Sequence, residues 1–566
     1  MVNLLAAAPS LVLFLGALIL LAIPRRLDAR IRLSIALTSI LAAGIFIYLN
    51  ASHSSDPIAL LNAPPLTDNL EITFHYDGGA LLFAYIVLIA AVARHLLENL
   101  RAETDVSAGA LIAVAGALAF FCADNWSTVA AGWLVADLGL VMMPASGAVD
   151  APTIAMKLRA LAVSQVGALV FLVAGLLASN GGAPPRLDDA ALDGVAATLL
   201  LLAVWLRCGF WPLHFSQASK RETTATFTGG TVSPLALRRG LFTFGVPTLM
   251  GISLLERALV VIQGGPEFVS ALHALALFAL VASALLAITR FYAQQDLTWS
   301  ARAIAAPLLL LPFIQPITLQ PALAIWLGLG FFNLVALTAG ASILRAHTRR
   351  EPWLQVLWGA GLLVACGFPF TPAFLGRVGF YATELQNGDS VLIVAVVGAT
   401  ALALIPLWKM FLSVRELEPR RPTLVEYVAI ALLLLPMLAE GLVPFNVLGF
   451  FGRAVQDGGV PAYDALFHAD NFLTPILLLI AVLLPLLRSF ILARAWVPPS
   501  YQFRGVERVL DASLNLDALA RGGARIVESL GVALRQVIYL LEQHPIGWLV
   551  FAAIWLALWI LGMGGS

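Results

Sequence analysis

The sequence predicts an all-α polytopic membrane protein: about 16 transmembrane helices, two of them broken in inverted repeats, and a C-terminal amphipathic lateral helix. Three observations carry this. Of 566 residues, 60% are hydrophobic and 12% charged, against roughly 25% charged in soluble domains. The apolar residues come in blocks of roughly 18–25, the length that spans a hydrocarbon core. No polar stretch is long enough for a water-soluble catalytic domain, although a soluble chain of this length would divide into several domains. Formal net charge is zero, which argues against nucleic acid as a partner.

In chain order the blocks fall near 3–23, 33–50, 79–97, 107–124, 126–145, 157–180, 194–224, 232–258, 270–291, 299–315, 319–345, 354–386, 390–413, 424–447, 472–493 and 546–563. The first is expected to remain a span and not a cleaved leader, because Arg25, Arg26, Arg30 and Arg32 follow its apolar core. Basic residues recur on alternate connections: 25–32, Arg94 with Arg101, Lys220 with Arg221, Arg290 with Arg302, 345–350, 415–421 and 488–494. The opposite connections carry Asp56, Asp68, Glu71, Asp188, Asp189, Asp457 and Asp464. Positive loops stay cytoplasmic, so both termini are expected outside a cell inner (plasma) membrane.

Two spans are interrupted. The seventh contains Arg207-Cys208-Gly209-Phe210-Trp211-Pro212, and the twelfth Cys366-Gly367-Phe368-Pro369-Phe370-Thr371-Pro372. A broken helix frees carbonyls and amides at membrane depth, tolerable only against protein or a wet cavity. Matching breaks in two halves point to an inverted-repeat transporter with its site at the breaks, the alternative being plain proline kinks. The chain is therefore organised as N-terminal helices (1–106), a first repeat (107–260), a second repeat (261–413), C-terminal helices (414–503), a lateral segment (504–545) and an anchor (546–566). The segment 504–542 spaces its apolar residues three or four apart among charges, too polar to span.

Charges inside the spans are functional candidates by default, since burying them costs several kcal/mol. They are Asp137, Arg207, Arg238, Arg239, Arg377, Lys409 and Glu440. Arg207 and Arg377 stand out because each lies within a few residues of a break. A structural ion pair, or snorkelling toward the interface, is the alternative. Cys122, Cys208 and Cys366 are far apart and inside apolar blocks, so neither a metal site, nor an iron–sulfur cluster, nor a disulfide framework is expected. No cofactor is expected.

Several words in order resemble those of one family, the antiporter-like proton-translocating subunits. These occur in respiratory complex I (its distal pump subunits), multisubunit cation/proton antiporters, membrane-bound hydrogenases and an inorganic-carbon uptake complex. Arg207 to His214 is similar to the family's Lys-Ser-Ala-Gln-Phe-Pro-Phe-His, with Pro212 and His214 matched. Thr231 to Leu235 resembles Thr-Pro-Val-Ser-Ala-Leu, Gly132-Trp133 the Trp-Glu helix, and Lys157 to Gly167 the Lys-Ala-Phe…Arg-Val-Gly-Asp stretch. Gln295 to Leu297, Phe331 to Asn333, Gly340 to Ser342 and Gly367 to Arg377 resemble further family words in their proper order. The lateral segment and anchor are similar to those of the most distal complex I pump subunit.

The resemblance implies an ion pathway through Asp137, Arg207, His214, Asn333, Arg377 and Lys409, and a polar axis of glutamate and lysines. Here that axis is degenerate. The Trp-Glu glutamate is Leu134 with Asp137 one turn on, the two broken-helix lysines are Arg207 and Arg377, the central lysine is Asn333, and the Gly-Asp aspartate is Ala168. Arginine stays protonated and relays a proton poorly. Three functions remain open: an ion-translocating subunit of an NADH–quinone oxidoreductase-like or hydrogenase-like complex; a subunit for cation/proton exchange or inorganic-carbon uptake; and a scaffold or solute carrier. The expected partners are other membrane subunits of a hetero-oligomeric complex, and the lipid bilayer.

Overall fold

A computed structural model describes residues 4–23, 28–53, 58–61, 72–76, 78–99, 108–143, 151–179, 186–187, 190–212, 245–294, 298–314, 320–332, 356, 359–360, 363–364, 367–369, 371–412, 423–425, 427–433 and 473–495. The chain divides into two compact units, Met1–Leu514 and Asn515–Ser566, and every described residue belongs to the first.

Among the described residues, seven helices are long and apolar enough to cross a membrane: Leu5–Ala22, Arg30–Ala51, Gly79–Leu96, Ala160–Ala178, Val269–Thr289, Ser390–Lys409 and Thr474–Arg494. They coincide with the first, second, third, sixth, ninth, thirteenth and fifteenth apolar blocks. The full elements that contain them are α1 (Leu4–Ala22), α2 (Ala29–His53), α3 (Gly78–Asn99), α6 (Ala151–Ala178), α9 (Val269–Gln294), α13 (Ser390–Leu412) and α14 (Leu473–Ala495). Between them run shorter apolar helices: α4 (Ala108–Phe121), α5 (Trp126–Met142), α7 (Gly194–Cys208), α8 (Val246–Val261), α10 (Thr298–Ala305), α11 (Gln320–Phe332) and α12 (Pro372–Asn387). α10 runs on as a 3-10 helix over Ala306–Phe313, where Pro307 and Pro312 cannot donate to an α-helical ladder. With these, the fourth, fifth and tenth blocks and the described parts of the seventh (194–208), eighth (246–258), eleventh (320–332) and twelfth (372–386) are seen as helix. The sixteenth block and the amphipathic segment 504–542 lie outside the described residues.

One end of the bundle is closed by short strands. β1 (Ile58–Leu61) pairs antiparallel with β2 (Ile72–Phe74), and β3 (Leu192–Asp193) pairs with β4 (Ile262–Pro266). The α4–α5 turn is stitched to this end: His75 N–H donates to Cys122 O at 2.7 Å, and Asp124 N–H donates to Thr73 O at 3.0 Å. Asn125 caps α5, its Oδ1 accepting from Thr128 N–H at 2.8 Å, which satisfies one orphan amide of the first turn. Arg257 of α8 donates to Ala123 O at 2.6 Å, and Arg186 pairs with Asp124 at 2.8 Å. The N-terminal ends of α5 and α7 and the C-terminal end of α8 are thereby held at the same face.

α4 and α5 touch backbone to backbone. A methyl on Gly116 or Gly139 would collide with the backbone of Ala136 or Ala113, and one on Gly132 would lie 2.5 Å from Phe120 N. In lipid, helices associate by such close packing because the apolar effect between them is absent. The contact fixes the rotation of α5 and therefore the direction in which Asp137 points.

Candidate functional site

Trp133 and Asp137 are four residues apart on α5, so they share one face, and that face is turned inward: Asp137 is 4% exposed. From α7 comes Arg207, 3% exposed. Its Nη1 donates to Asp137 Oδ1 at 2.6 Å and to Ser164 Oγ of α6 at 2.8 Å. The second carboxylate oxygen accepts from Gln165 Nε2 at 2.8 Å, and Trp133 Nε1 donates to Ser164 Oγ at 2.8 Å. The guanidinium also stacks over the Trp133 ring, 4.8 Å from its centroid, an arrangement worth more when desolvated. Three helices thus supply one charge pair with both carboxylate oxygens bonded. At 1.5 Å per residue the pair lies about 16 Å along α5 from Trp126 and about 20 Å along α7 from Gly194. That is roughly midway through a core about 30 Å thick.

The pair sits beside the first break. α7 stops at Cys208 because Gly209 takes the left-handed conformation (φ 65) and donates its N–H to Trp205 O. The exposed end is covered from α8, where Thr248 Oγ1 donates to Cys208 O at 3.2 Å, while Trp205 Nε1 donates to Trp211 O at 2.9 Å. The second break repeats the device. Gly367 is left-handed (φ 76). Its N–H donates to Val364 O at 3.1 Å and that of Phe368 to Leu363 O at 2.9 Å, the paired bonds of a Schellman cap. Thr371 then caps α12, accepting from Phe374 N–H at 3.3 Å, with Pro372 in the first turn. Both Cys-Gly-Phe words therefore encode a helix stop at glycine, the residue that adopts this conformation without a Cβ clash. At both breaks freed backbone groups meet protein: the Gly209, Gly367 and Phe368 amides are capped, and side chains of Thr248, Trp205 and Thr371 donate to the carbonyls of Cys208, Trp211 and Phe368.

The two breaks are joined through glycines. A methyl on Gly251 of α8 would strike Cys208; one on Gly328 of α11 would lie 2.6 Å from Ile252, and one on Gly330 2.6 Å from Ala373 of α12. α7, α8, α11 and α12 consequently pack in sequence from one break to the other.

No family model matches the chain, and no curated relative does. Solved structures do match. A chain of the Mrp complex from Dietzia sp. DQ12-45-1b is 16% identical with TM-score 0.67, over 94% of this chain and 62% of that one. A chain of respiratory complex I from Thermus thermophilus with bound aureothin is 19% identical with TM-score 0.58, over 78% and 98%. A chain of the membrane-bound sulfane sulfur reductase, an archaeal respiratory membrane complex, is 12% identical with TM-score 0.61, over 81% and 98%. The chain shares the fold of these membrane-complex chains. It is a multi-pass membrane protein, and it spans 62% of the length of the Mrp-complex chain it resembles.

Within this fold, the structure gathers Asp137 and Arg207 and places Arg377, 5% exposed, at the second break. Leu134, at the glutamate position of the family word, is 51% exposed and faces away from the site; Asp137 is the acid that points inward. Ala168 is buried beside Gly167, where a methyl would lie 3.0 Å from the Trp133 ring and 3.1 Å from Leu206. Lys409 lies half-buried in the last turn of α13 and has no bond to Asp137 or Arg207. His214, Asn333, Arg238, Arg239 and Glu440 lie outside the described residues.

Three residues escaped the sequence reading. Ser164 and Gln165 complete the pair's hydrogen bonds, and their signal was two adjacent polar residues inside an apolar block. Arg257 is buried in α8. Arg32, Arg94 and Arg302 are corrections: counted as charges of connections, all three are buried on helices, because an isolated basic residue near a block edge reads the same either way.

Proposed function

We propose that the chain is an ion-translocating membrane subunit of a hetero-oligomeric complex with a degenerate proton relay. The observation that carries the reading is the Asp137–Arg207 pair: two opposite charges almost shut off from solvent, at mid-membrane depth and beside the helix break that ends α7. Stability alone is a poor reason for it, since apolar residues of equal volume commonly hold a core as well as a buried ion pair does. Charges at that depth mark ion paths by default. Arg207 and Arg377 act as fixed charges that set the electrostatics of the midplane, because guanidinium does not release protons near neutral pH.

Positive connections at 25–30, 220–221, 345–350 and 415–421 support an inner-membrane orientation with both termini outside. The likeness to chains of respiratory complex I and an archaeal reductase supports a redox-driven partner complex. The likeness to the Mrp-complex chain, which takes in 94% of this chain, supports an exchanger instead. Identifying the co-purifying subunits decides between them.

The test reconstitutes the complex in liposomes with a pH-sensitive dye. Wild type is expected to take up protons slowly, and the triple replacement Arg207→Lys, Asn333→Lys, Arg377→Lys to raise the rate by about tenfold or more, as titratable groups near neutral pH are restored. Robust uptake in wild type, lost in Arg207→Ala or Arg377→Ala with assembly intact, overturns the fixed-charge reading. A further expectation concerns the partners. Deleting 505–566 should reduce co-purification of the other subunits several-fold while the remaining helices still insert, because an extended apolar stripe with mixed charges fits a protein neighbour better than anionic lipid. Undiminished co-purification would remove the lateral docking role.

A further inference from the structure

The helix that follows the second break carries more than its arginine. Arg377, Tyr381 and Glu384 are spaced four and three residues apart on α12, so they share one face. All three are buried, at 5%, 0% and 4% exposed. That face lies about 100° round the helix from Gly376, which packs against the α11 backbone: a methyl there would lie 2.9 Å from Leu327 N. The polar line therefore runs beside the α11 seam, not inside it. Tyr381 Oη and, on α11, Trp326 Nε1 are buried without a hydrogen-bond partner. Buried polar atoms of that kind are few in folded proteins, and each one calls for a reason. Thr383, by contrast, spends its hydroxyl on Gly379 O at 2.8 Å.

Three acids are buried among the described residues: Asp124, Asp137 and Glu384. Asp124 pairs with Arg186 and Asp137 with Arg207. The Glu384 carboxyl makes no hydrogen bond or ion pair with a described residue. The described helices packed most closely on α12 are α11, α13 and α14. α11 holds no ionisable residue, and Lys409 stands about 28 Å along α13 from its start. Arg488 and Arg494 of α14 lie at that same far end, where Phe490 meets Trp408 at 5.2 Å. The nearby charge is Asp389 in the α12–α13 turn. Its carboxylate caps α13, accepting from Leu392 N–H at 3.0 Å, and its own N–H donates to Glu384 O at 3.0 Å.

We propose that Glu384 is the proton-exchanging residue of the second break, with the Tyr381 hydroxyl linking it to the level of Arg377. This deepens the translocation reading above and rests on it. A guanidinium does not release its proton, whereas a carboxyl group takes one up and gives it back, and a hydroxyl both donates and accepts. Glu384 lies about 10 Å beyond Arg377 along α12 and within a turn of its end at Gly388. In the orientation proposed above that end faces outward, one span from the positive connection 415–421. In each passage one carboxyl O–H bond forms with a proton from one side and breaks toward the other, so the side chain ends as it began.

The test uses the full chain in its complex. Glu384→Gln should slow proton uptake into liposomes about tenfold or more, with the melting temperature kept or raised, because an unpaired buried acid is replaced without a change of shape. Tyr381→Phe should slow uptake several-fold, and Glu384→Asp should retain uptake with a displaced pH profile. In the wild-type complex an apolar carbodiimide, which adds to protonated carboxyl groups within the membrane, should label Glu384 and spare Asp137, less so as pH rises; peptide mass locates the label. Unchanged uptake in an intact Glu384→Gln complex overturns the assignment. So do equal losses of uptake and melting temperature in Glu384→Gln and Glu384→Asp, the sign of a structural role. Absence of label from Glu384 at every pH overturns it as well, and decides the matter if Glu384→Gln does not assemble. Label on Glu384 in a wild-type complex that takes up no protons refutes translocation by this chain and leaves Glu384 as a group that exchanges protons.

Discussion

Asp137→Asn and Arg207→Gln are each expected to destabilise the protein by roughly 3–5 kcal/mol, and the double variant to recover part of that loss. Each single change leaves a charge in a place where only its partner compensated it. In Arg207→Gln the carboxylate keeps the Gln165 bond but loses the 2.6 Å bond from Arg207. In Asp137→Asn the guanidinium keeps Ser164 and the Trp133 ring, and its full charge remains. Because the pair is buried, added salt should change little, unlike a surface pair that ions screen. The measurement is thermal unfolding of all four proteins in one detergent. Losses that simply add in the double variant would show that the two residues do not interact.

The second large effect is steric. Gly116→Ala and Gly139→Ala each place a methyl into the facing backbone of the α4–α5 pair, where no side chain can rotate away. Overpacking of this sort costs about 1–3 kcal/mol and occasionally more, and backbone obstacles belong at the upper end. Separation of α4 from α5 also rotates Asp137, so assembly and ion flux should fall together. Gly398→Ala is the control. A methyl there meets nothing within 4 Å, and replacing a helix-interior glycine with alanine is worth up to about 1 kcal/mol in favour of the variant. Equal behaviour of Gly116→Ala and Gly398→Ala in melting and yield would refute the close-packed interface.

How much was legible beforehand differs by element. Span positions were, since the apolar blocks at 3–23, 79–97, 270–291 and 390–413 reappear as α1, α3, α9 and α13 with ends shifted by a few residues. The breaks were legible too. Cys208-Gly209 and Cys366-Gly367 pair an apolar run with a glycine stop, and local chemistry alone determines where such a helix ends. What happens to the freed backbone was not legible, because Thr248, which covers Cys208 O, lies 40 residues away in sequence.

The charges show the division most sharply. Hydropathy sufficed to flag Asp137, Arg207 and Arg377, because any ionisable residue in an apolar block is costly wherever it points. It assigned Arg302 wrongly and could not say that Leu134 faces outward: the direction of a side chain depends on helix rotation, and rotation is decided by which neighbour presses on which face. The sequence by itself determined that the chain crosses a membrane many times, where two helices break, and which residues carry charge at depth, all consequences of short-range solvation and backbone chemistry. Only the tertiary structure decided that Asp137 meets Arg207, that Arg302 is buried on a helix, and that glycines on α4 and α5 set the angle of the site. Those facts depend on close packing between residues distant in the chain, which no local pattern encodes.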